Sequence, residues 1–399
     1  MADQPDVPQN TEFEKEIQEA MKKGSAQGAA KIQEYLDQQD KIQLHIGITG
    51  EAGAGKSTFV NAFRGVDHRD EGAAPTGCVE TTTVVTPYAH PNYPNVTLWD
   101  LPGIGTTKFP ADKYLKHVEF EKFDFFIIIS ATRFTENDVK LAKEIQKMKK
   151  KFYFVRSKID NDLNAAERSQ RDFNAEKTLA TMRENCIQGL QEQGVPATVF
   201  LVSSFYLHLH DFPLLQQTLE RQLPAHKRDT LLLAVPNINL EIINRKKKAF
   251  QAKIKYDAGL SAVGAAVPLP GLSIAVDLSL LVNVAIKYAV GFGLDKLSLE
   301  RLAAISGVPL SDLMAVIKSP LAAVKITRDL MLKVLTTFTI TSLSMMAEEG
   351  LKYIPFLGIP VAAIISFTTT YKCLNMFLNT FADDAQRVFK KALGLDTSV

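Results

Sequence analysis

The feature that most constrains this chain is the run Gly50-Glu51-Ala52-Gly53-Ala54-Gly55-Lys56-Ser57, followed by Thr58. It has the spacing G-x-x-x-x-G-K-[ST], it follows the apolar run Gln43–Thr49, and it opens a helical pattern over Lys56–Phe63. Strand, glycine-rich turn and helix in that order form a phosphate loop. The glycines let backbone N–H groups turn inward around a β-phosphate, and the helix N-terminus adds a favourable dipole. Lys56 is placed to bridge the β- and γ-phosphates, and the Ser57 hydroxyl to ligate Mg²⁺.

Further apolar, β-branched runs occur at Val96–Trp99, Phe125–Ser130, Phe152–Arg156 and Thr198–Ser203. Helical patterns at Asn137–Met148 and Glu176–Gln191 lie between them. Strands alternating with helices predict an α/β fold, a mainly parallel sheet with helices on both faces. Three of these strands end on polar motifs. Asp100-Leu-Pro-Gly103 has the D-x-x-G form that closes a phosphate site, with Asp100 holding Mg²⁺ through water and the Gly103 N–H on the γ-phosphate. Ser157-Lys158-Ile-Asp160 predicts a base reader. Guanine offers two adjacent donors, which one carboxylate accepts together, so Asp160 selects guanine while the Lys158 stem packs on the base. Asn or Thr usually stands first in this motif, so Ser157 predicts a less firmly ordered base loop. Ser203-Ser204 falls where a backbone N–H meets guanine O6. The expected cofactors are therefore GTP or GDP with Mg²⁺.

A switch threonine belongs between the phosphate loop and Asp100. Thr76-Gly-Cys-Val-Glu80-Thr81-Thr82-Thr83 offers several; Thr82 is favoured, with Thr81 and Thr83 as alternatives. Its hydroxyl and carbonyl would complete the Mg²⁺ shell, giving Ser57, Thr82 and Asp100 as the metal set, and would sense the γ-phosphate. Ile104 follows Gly103 where a water-orienting Gln is common, which predicts slow hydrolysis unless another group or a partner supplies that function. Glu80 is a candidate for it.

The 399 residues exceed one compact core, and a net charge of +2 argues against a nucleic-acid partner. Three dispersed cysteines point to a reducing compartment. The opening residues show no apolar signal core, and Ala2 cannot accept a myristoyl chain. Residues 1–10 read as disordered and 11–40 as two short helices, 41–224 as the nucleotide-binding domain, and 225–399 as helices. Residues 1–40 and 225–399 are expected to form one all-α domain. Two nearly charge-free stretches, Ala258–Val276 and Tyr353–Tyr371, are long enough to span a bilayer. Their prolines, glycines and P-x-x-G or P-x-P-G turns favour buried hairpins, with membrane contact as the other reading.

The stretches GEAGAGKSTFVNAFRG, APTGCVETT and PYAHPNYPNVTLWDLPGIGT resemble the interferon-inducible immunity-related GTPases, in their G-K-S form, over nearly the whole chain. That resemblance implies phosphate binding by Gly50, Gly55, Lys56 and Ser57, and contacts to Mg²⁺ and γ-phosphate from Asp100 and Gly103. It also implies guanine reading by Lys158 and Asp160. Thr82 stands at the family's switch threonine and Glu80 at an acidic switch residue tied to hydrolysis, so Lys56, Glu80 and Thr82 are the catalytic candidates. The family implies self-association across the nucleotide faces as dimer or oligomer, faster turnover on assembly, related GTPases as partners, and cytoplasmic proteins acting peripherally on intracellular, pathogen-containing membranes in cell-autonomous innate immunity. The alternative is a nucleotide-gated binding module with negligible turnover that controls other GTPases.

Overall fold

The computed structural model describes residues 9–77, 82, 84–103, 119–131, 135–262, 267–268, 275–338, 353 and 363–395. Residues 1–8, Cys78, Glu80, Thr81, Thr83, Ile104, and the Pro268–Gly271 and Pro355–Gly358 turns as units lie wholly or partly outside them, as do residues 354–362 of the stretch Tyr353–Tyr371. The chain divides into two compact units, Ile42–Asn239 and Met1–Lys41 with Leu240–Val399.

The first unit is built on six strands: β1 (Leu44–Thr49), β2 (Thr86–Ala89), β3 (Val96–Asp100), β4 (Phe125–Ser130), β5 (Lys151–Arg156) and β6 (Val199–Leu201). They lie in the order β2-β3-β1-β4-β5-β6, all parallel except the edge strand β2. Every residue of β4, Phe-Phe-Ile-Ile-Ile-Ser, is buried, as expected of a central parallel strand covered on both faces. Sequence patterning missed β2 because it is four residues long, contains Pro87 and alternates half-buried with exposed positions. A proline is tolerated there because an edge strand leaves one side of its backbone unpaired.

Helices α3 (Lys56–Phe63), α4 (Glu136–Lys147), α5 (Ile159–Ser169), α6 (Ala175–Glu192), α7 (Phe212–Gln222) and α8 (Ala225–Ala234) belong to this unit. Helix α4 starts on a capping box in which Thr135 and Asp138 satisfy each other's backbone N–H groups. The division after Asn239, rather than after 224, follows from α8. Its buried Leu231, Leu232 and Leu233 belong to a helix that packs on β1 and β3, and Lys227 pairs with Asp124 at 2.5 Å.

The second unit combines α1 (Gln9–Lys23) and α2 (Ser25–Asp40) with α9 (Leu240–Ser261), α10 (Leu278–Gly291), α11 (Lys296–Ser306), α12 (Leu310–Ala315), α13 (Arg328–Phe338) and α14 (Ile364–Ala392). Its spine is the pairing of the long helices α9 and α14. Glu14 of α1 reaches Lys255 at 2.5 Å and Tyr256 at 3.2 Å, and Tyr35 of α2 packs on the Tyr256 ring. An isolated pair of 15- and 16-residue helices is marginal in water, and this burial supplies what local propensity lacks. The unit is not wholly α: Val267–Pro268 and Ala275–Val276 form a two-residue antiparallel ladder. Charge-poor sequence had hidden it.

Candidate functional site

Strand order reverses at β1, which lies between β3 and β4, so a crevice opens beyond the carboxyl ends of these strands. The loop from Gly50 to Gly55 leaves β1 there and runs into α3. Gly50 has φ 136°, and a Cβ on it would lie 2.0 Å from the Ile129 carbonyl oxygen of β4. No side chain fits, so the glycine is required for the loop to leave the sheet. On the other flank Gly103 approaches the loop so closely that a Cβ would meet the Ala52 nitrogen at 2.9 Å. The D-x-x-G glycine thus lets the end of β3 close against the phosphate loop.

Lys56 is buried, and its ammonium donates to the Glu51 carbonyl at 2.9 Å. Ser57 Oγ donates to Asp100 Oδ2 at 2.5 Å, and Thr82 Oγ1 donates to the same oxygen at 3.0 Å. The two hydroxyls are 3.4 Å apart. The register pairing Ile48 with Asp100 puts that carboxylate beside the start of the loop. Asp100 is fully buried, and its Oδ1 makes no hydrogen bond among the described residues. Burial pushes its carboxyl above the ordinary range, against the opposing pull of the Ser57 hydrogen bond and the Lys56 charge. Two hydroxyls around a buried carboxylate with an unused oxygen are hard donors of the kind Mg²⁺ takes. No cluster of three or more His, Cys, Asp or Glu competes with it among the described residues.

The base-reading motif arrives from β5. Ser157 is buried; its hydroxyl donates to the Ala54 carbonyl at 2.7 Å, and its N–H to the Ser130 carbonyl at 2.8 Å. The expectation of a weakly ordered loop therefore gives way to one pinned on both the phosphate loop and β4. Lys158 has a left-handed backbone, φ 57°, and its ammonium donates to the Gly53 carbonyl at 2.8 Å. Asp160, in the first turn of α5, is half-buried and makes no hydrogen bond to another described residue. Val202 donates to the Arg156 carbonyl at 2.8 Å, and Ile159 to the Val202 carbonyl at 3.5 Å, which brings Ser203-Ser204 alongside. The Ser203 hydroxyl is buried and has no hydrogen-bond partner among the described residues. The cleft between these loops is lined by Ala52, Gly53, Gly55, Lys56, Ser57, Thr58, Thr76, Gly77, Thr82, Gly103 and Lys158.

Residues 10–392 match the family described as Interferon-inducible GTPase (IIGP). The chain belongs to this family. It is 45% identical over 370 residues to Interferon-inducible GTPase 5 of Bos taurus, covering 92% of this chain and 79% of the relative. It is 38% identical over 387 residues to Interferon-gamma-inducible GTPase 10 of Mus musculus, covering 96% and 90%. A third relative, T-cell-specific guanine nucleotide triphosphate-binding protein 2 of Mus musculus, is 39% identical over 377 residues, covering 91% and 86%. The chain is accordingly a guanine-nucleotide-binding GTPase with a P-loop fold.

Of the candidate site residues, the structure places all but Glu80 and the alternative switch threonines Thr81 and Thr83, which lie outside the described residues. Ala52, Gly53, Gly55 to Thr58, Thr82, Gly103 and Lys158 line the cleft, with Asp100 directly behind Ser57 and Thr82 and Ser157 on the Ala54 carbonyl, whereas Asp160, Ser203 and Ser204 follow β5 and β6 without lining it. Sequence patterning missed the supports behind them. Asn137 donates to the Glu51 side chain at 3.1 Å, tying α4 to the phosphate loop. Arg183 forms a two-pronged pair with Asp211 at 2.6 and 3.1 Å, and Asp211 Oδ2 also accepts the Leu201 N–H at 2.7 Å. That anchors the segment holding Ser203-Ser204. Neither support has a local motif, because its partners are 86 and 28 positions apart.

Proposed function

We propose that this GTPase works as a Mg²⁺-dependent, assembling enzyme whose triphosphate state brings copies together and carries them to intracellular membranes. The observation that carries the Mg²⁺-dependent part is the unused Asp100 Oδ1 behind Ser57 and Thr82. Those residues would hold Mg²⁺, which supplies charge neutralisation at the β- and γ-phosphates. Lys56 would exchange the Glu51 carbonyl for phosphate oxygens. Asp160 would accept the two guanine donors, and Ser203-Ser204 would supply the N–H for O6. Glu80, in the switch segment, is the group proposed to act on water.

Assembly is supported by Ile104, which leaves the position after Gly103 aliphatic, and by membership of a GTPase family. That membership also displaces the reading of a binding module with negligible turnover. Peripheral rather than spanning membrane contact is supported by the most apolar described stretch, Leu278–Ser306. It turns at Gly293, φ 64°, and 56% of its most apolar part is buried. The test is turnover per molecule against protein concentration, with liposome flotation in parallel. Specific activity should rise with concentration, and lipid association should rise with a non-hydrolysable GTP analogue over GDP. Flat specific activity, equal soluble recovery in both states, and no effect of Phe356→Glu or Ile364→Glu in a folded chain would overturn it.

A further inference from the structure

We propose that Asn61 is a positioning residue for the triphosphate state, fixing the start of the switch segment to the same helix that presents Lys56 and Ser57. Asn61 lies on α3 and is fully buried. Its Oδ1 accepts the Ala74 N–H at 2.7 Å, and its Nδ2 donates to the Ala74 carbonyl at 2.8 Å. The same Nδ2 lies 3.2 Å from His68 Nδ1. A carboxamide carries a donor and an acceptor side by side, so it reads both polar atoms of one residue's backbone, as a neighbouring strand would. Neither Asp, which lacks the donor, nor an aliphatic side chain can do so.

A second clamp comes from the end of the same helix. Arg64 is nearly buried, stacks over the Tyr88 ring at 5.3 Å, and donates to the Gly72 carbonyl at 3.2 Å and the Ala89 carbonyl at 3.0 Å. Residues 65–77 therefore leave α3 and return to it, held at Gly72 and Ala74. Two positions beyond Ala74 the chain supplies Thr76 and Gly77, which line the cleft together with Thr82. One end of α3 thus faces the phosphates, while its flank sets where the opposite wall of the cleft begins. A β-phosphate needs only the loop and Lys56, whereas a γ-phosphate also needs that wall. The loss of Asn61 is therefore felt by GTP and spared by GDP. This inference rests on the cleft being the GTP site.

The test is Asn61→Asp in the full chain, with dissociation rates of a fluorescent non-hydrolysable GTP analogue and of fluorescent GDP measured in Mg²⁺. The analogue should leave at least about fivefold faster and GDP within about twofold of the parent, the scale of one or two lost hydrogen bonds. His68→Ala, which keeps both Ala74 bonds, should leave both rates within about twofold. Equal acceleration of both nucleotides by Asn61→Asp, or of neither, would overturn the proposal, because a purely structural role does not discriminate between them. Should Asn61→Asp fail to fold, Ala74→Pro removes the N–H that Asn61 accepts, and the same two outcomes decide. Lys56→Ala serves as the reference for the cleft itself and should lose both nucleotides. A Lys56→Ala chain that kept both would refute the cleft assignment, and this inference with it.

Discussion

The two ends of the nucleotide cleft are built on opposite principles. At the phosphate end the functional groups satisfy one another: Lys56 is on the Glu51 carbonyl, and Ser57 and Thr82 share one oxygen of Asp100. At the base end the scaffold is satisfied, with Ser157 on Ala54 and Asp211 on Leu201, while the reading group Asp160 stays uncommitted. Binding at the first end exchanges partners among buried groups. Binding at the second adds contacts to a preformed rim. Substitutions at the phosphate end should therefore reduce affinity for every guanine nucleotide, and those at the base end should change which base is accepted.

The largest effect is expected from Lys56→Ala. It removes the only cation inside the phosphate loop and should weaken both GTP and GDP by about 3 kcal/mol or more, the upper range for a charge-assisted hydrogen bond. Titration with fluorescent nucleotide checks it, and near-parent affinity would end the contrast between the two ends. Asp160→Asn should cost GTP a similar or slightly smaller amount, about 2–3 kcal/mol, while admitting xanthosine nucleotides, because the amide donates where the carboxylate accepted. A competition assay between GTP and XTP reads this directly, and unchanged preference would remove Asp160 from the base site.

A third prediction concerns pH and the support behind the phosphate loop. Burial pushes the Asp138 carboxyl from 3.8 up to about 6. The folded state then binds more protons than the unfolded chain between those values. Stability should therefore fall as pH rises through that window and level off above it. Asp138→Asn keeps the acceptor for Thr135 and should flatten that slope, worth roughly 2 kcal/mol at about 1.4 kcal/mol per pH unit. Denaturant unfolding of both proteins at pH 4 and 7 measures it, and an unchanged slope would mean that Asp138 stays ionised when folded. The smallest effect belongs to Ser157→Ala. Losing the bond to the Ala54 carbonyl should cost about 1 kcal/mol in GTP affinity. Ser157→Thr should restore it, since the hydroxyl rather than the residue's size ties the base loop to the phosphate loop.

Much of the nucleotide site is legible in the amino-acid sequence because its geometry is local. A phosphate loop needs a strand, a glycine turn and a helix in one short stretch, so Gly50–Ser57 stands out by itself, and the strands ending at Asp100, Arg156 and Leu201 give the other motifs their places. The runs Phe125–Ser130 and Lys56–Phe63 match the elements formed, because a buried central strand and a short helix leave clear periodicities. The edge strand Thr86–Ala89, the allegiance of Ala225–Ala234 and the ladder at Val267–Pro268 are not readable in this way. Each depends on what lies across from it rather than on its own pattern. The same holds for the pinning of Ser157, the shared oxygen of Asp100 and the grip of Asn61 on Ala74. A motif states which atoms a segment offers, whereas the partner of a buried polar atom is fixed by folding, which must satisfy that atom with whatever distant group the topology brings within about 3 Å.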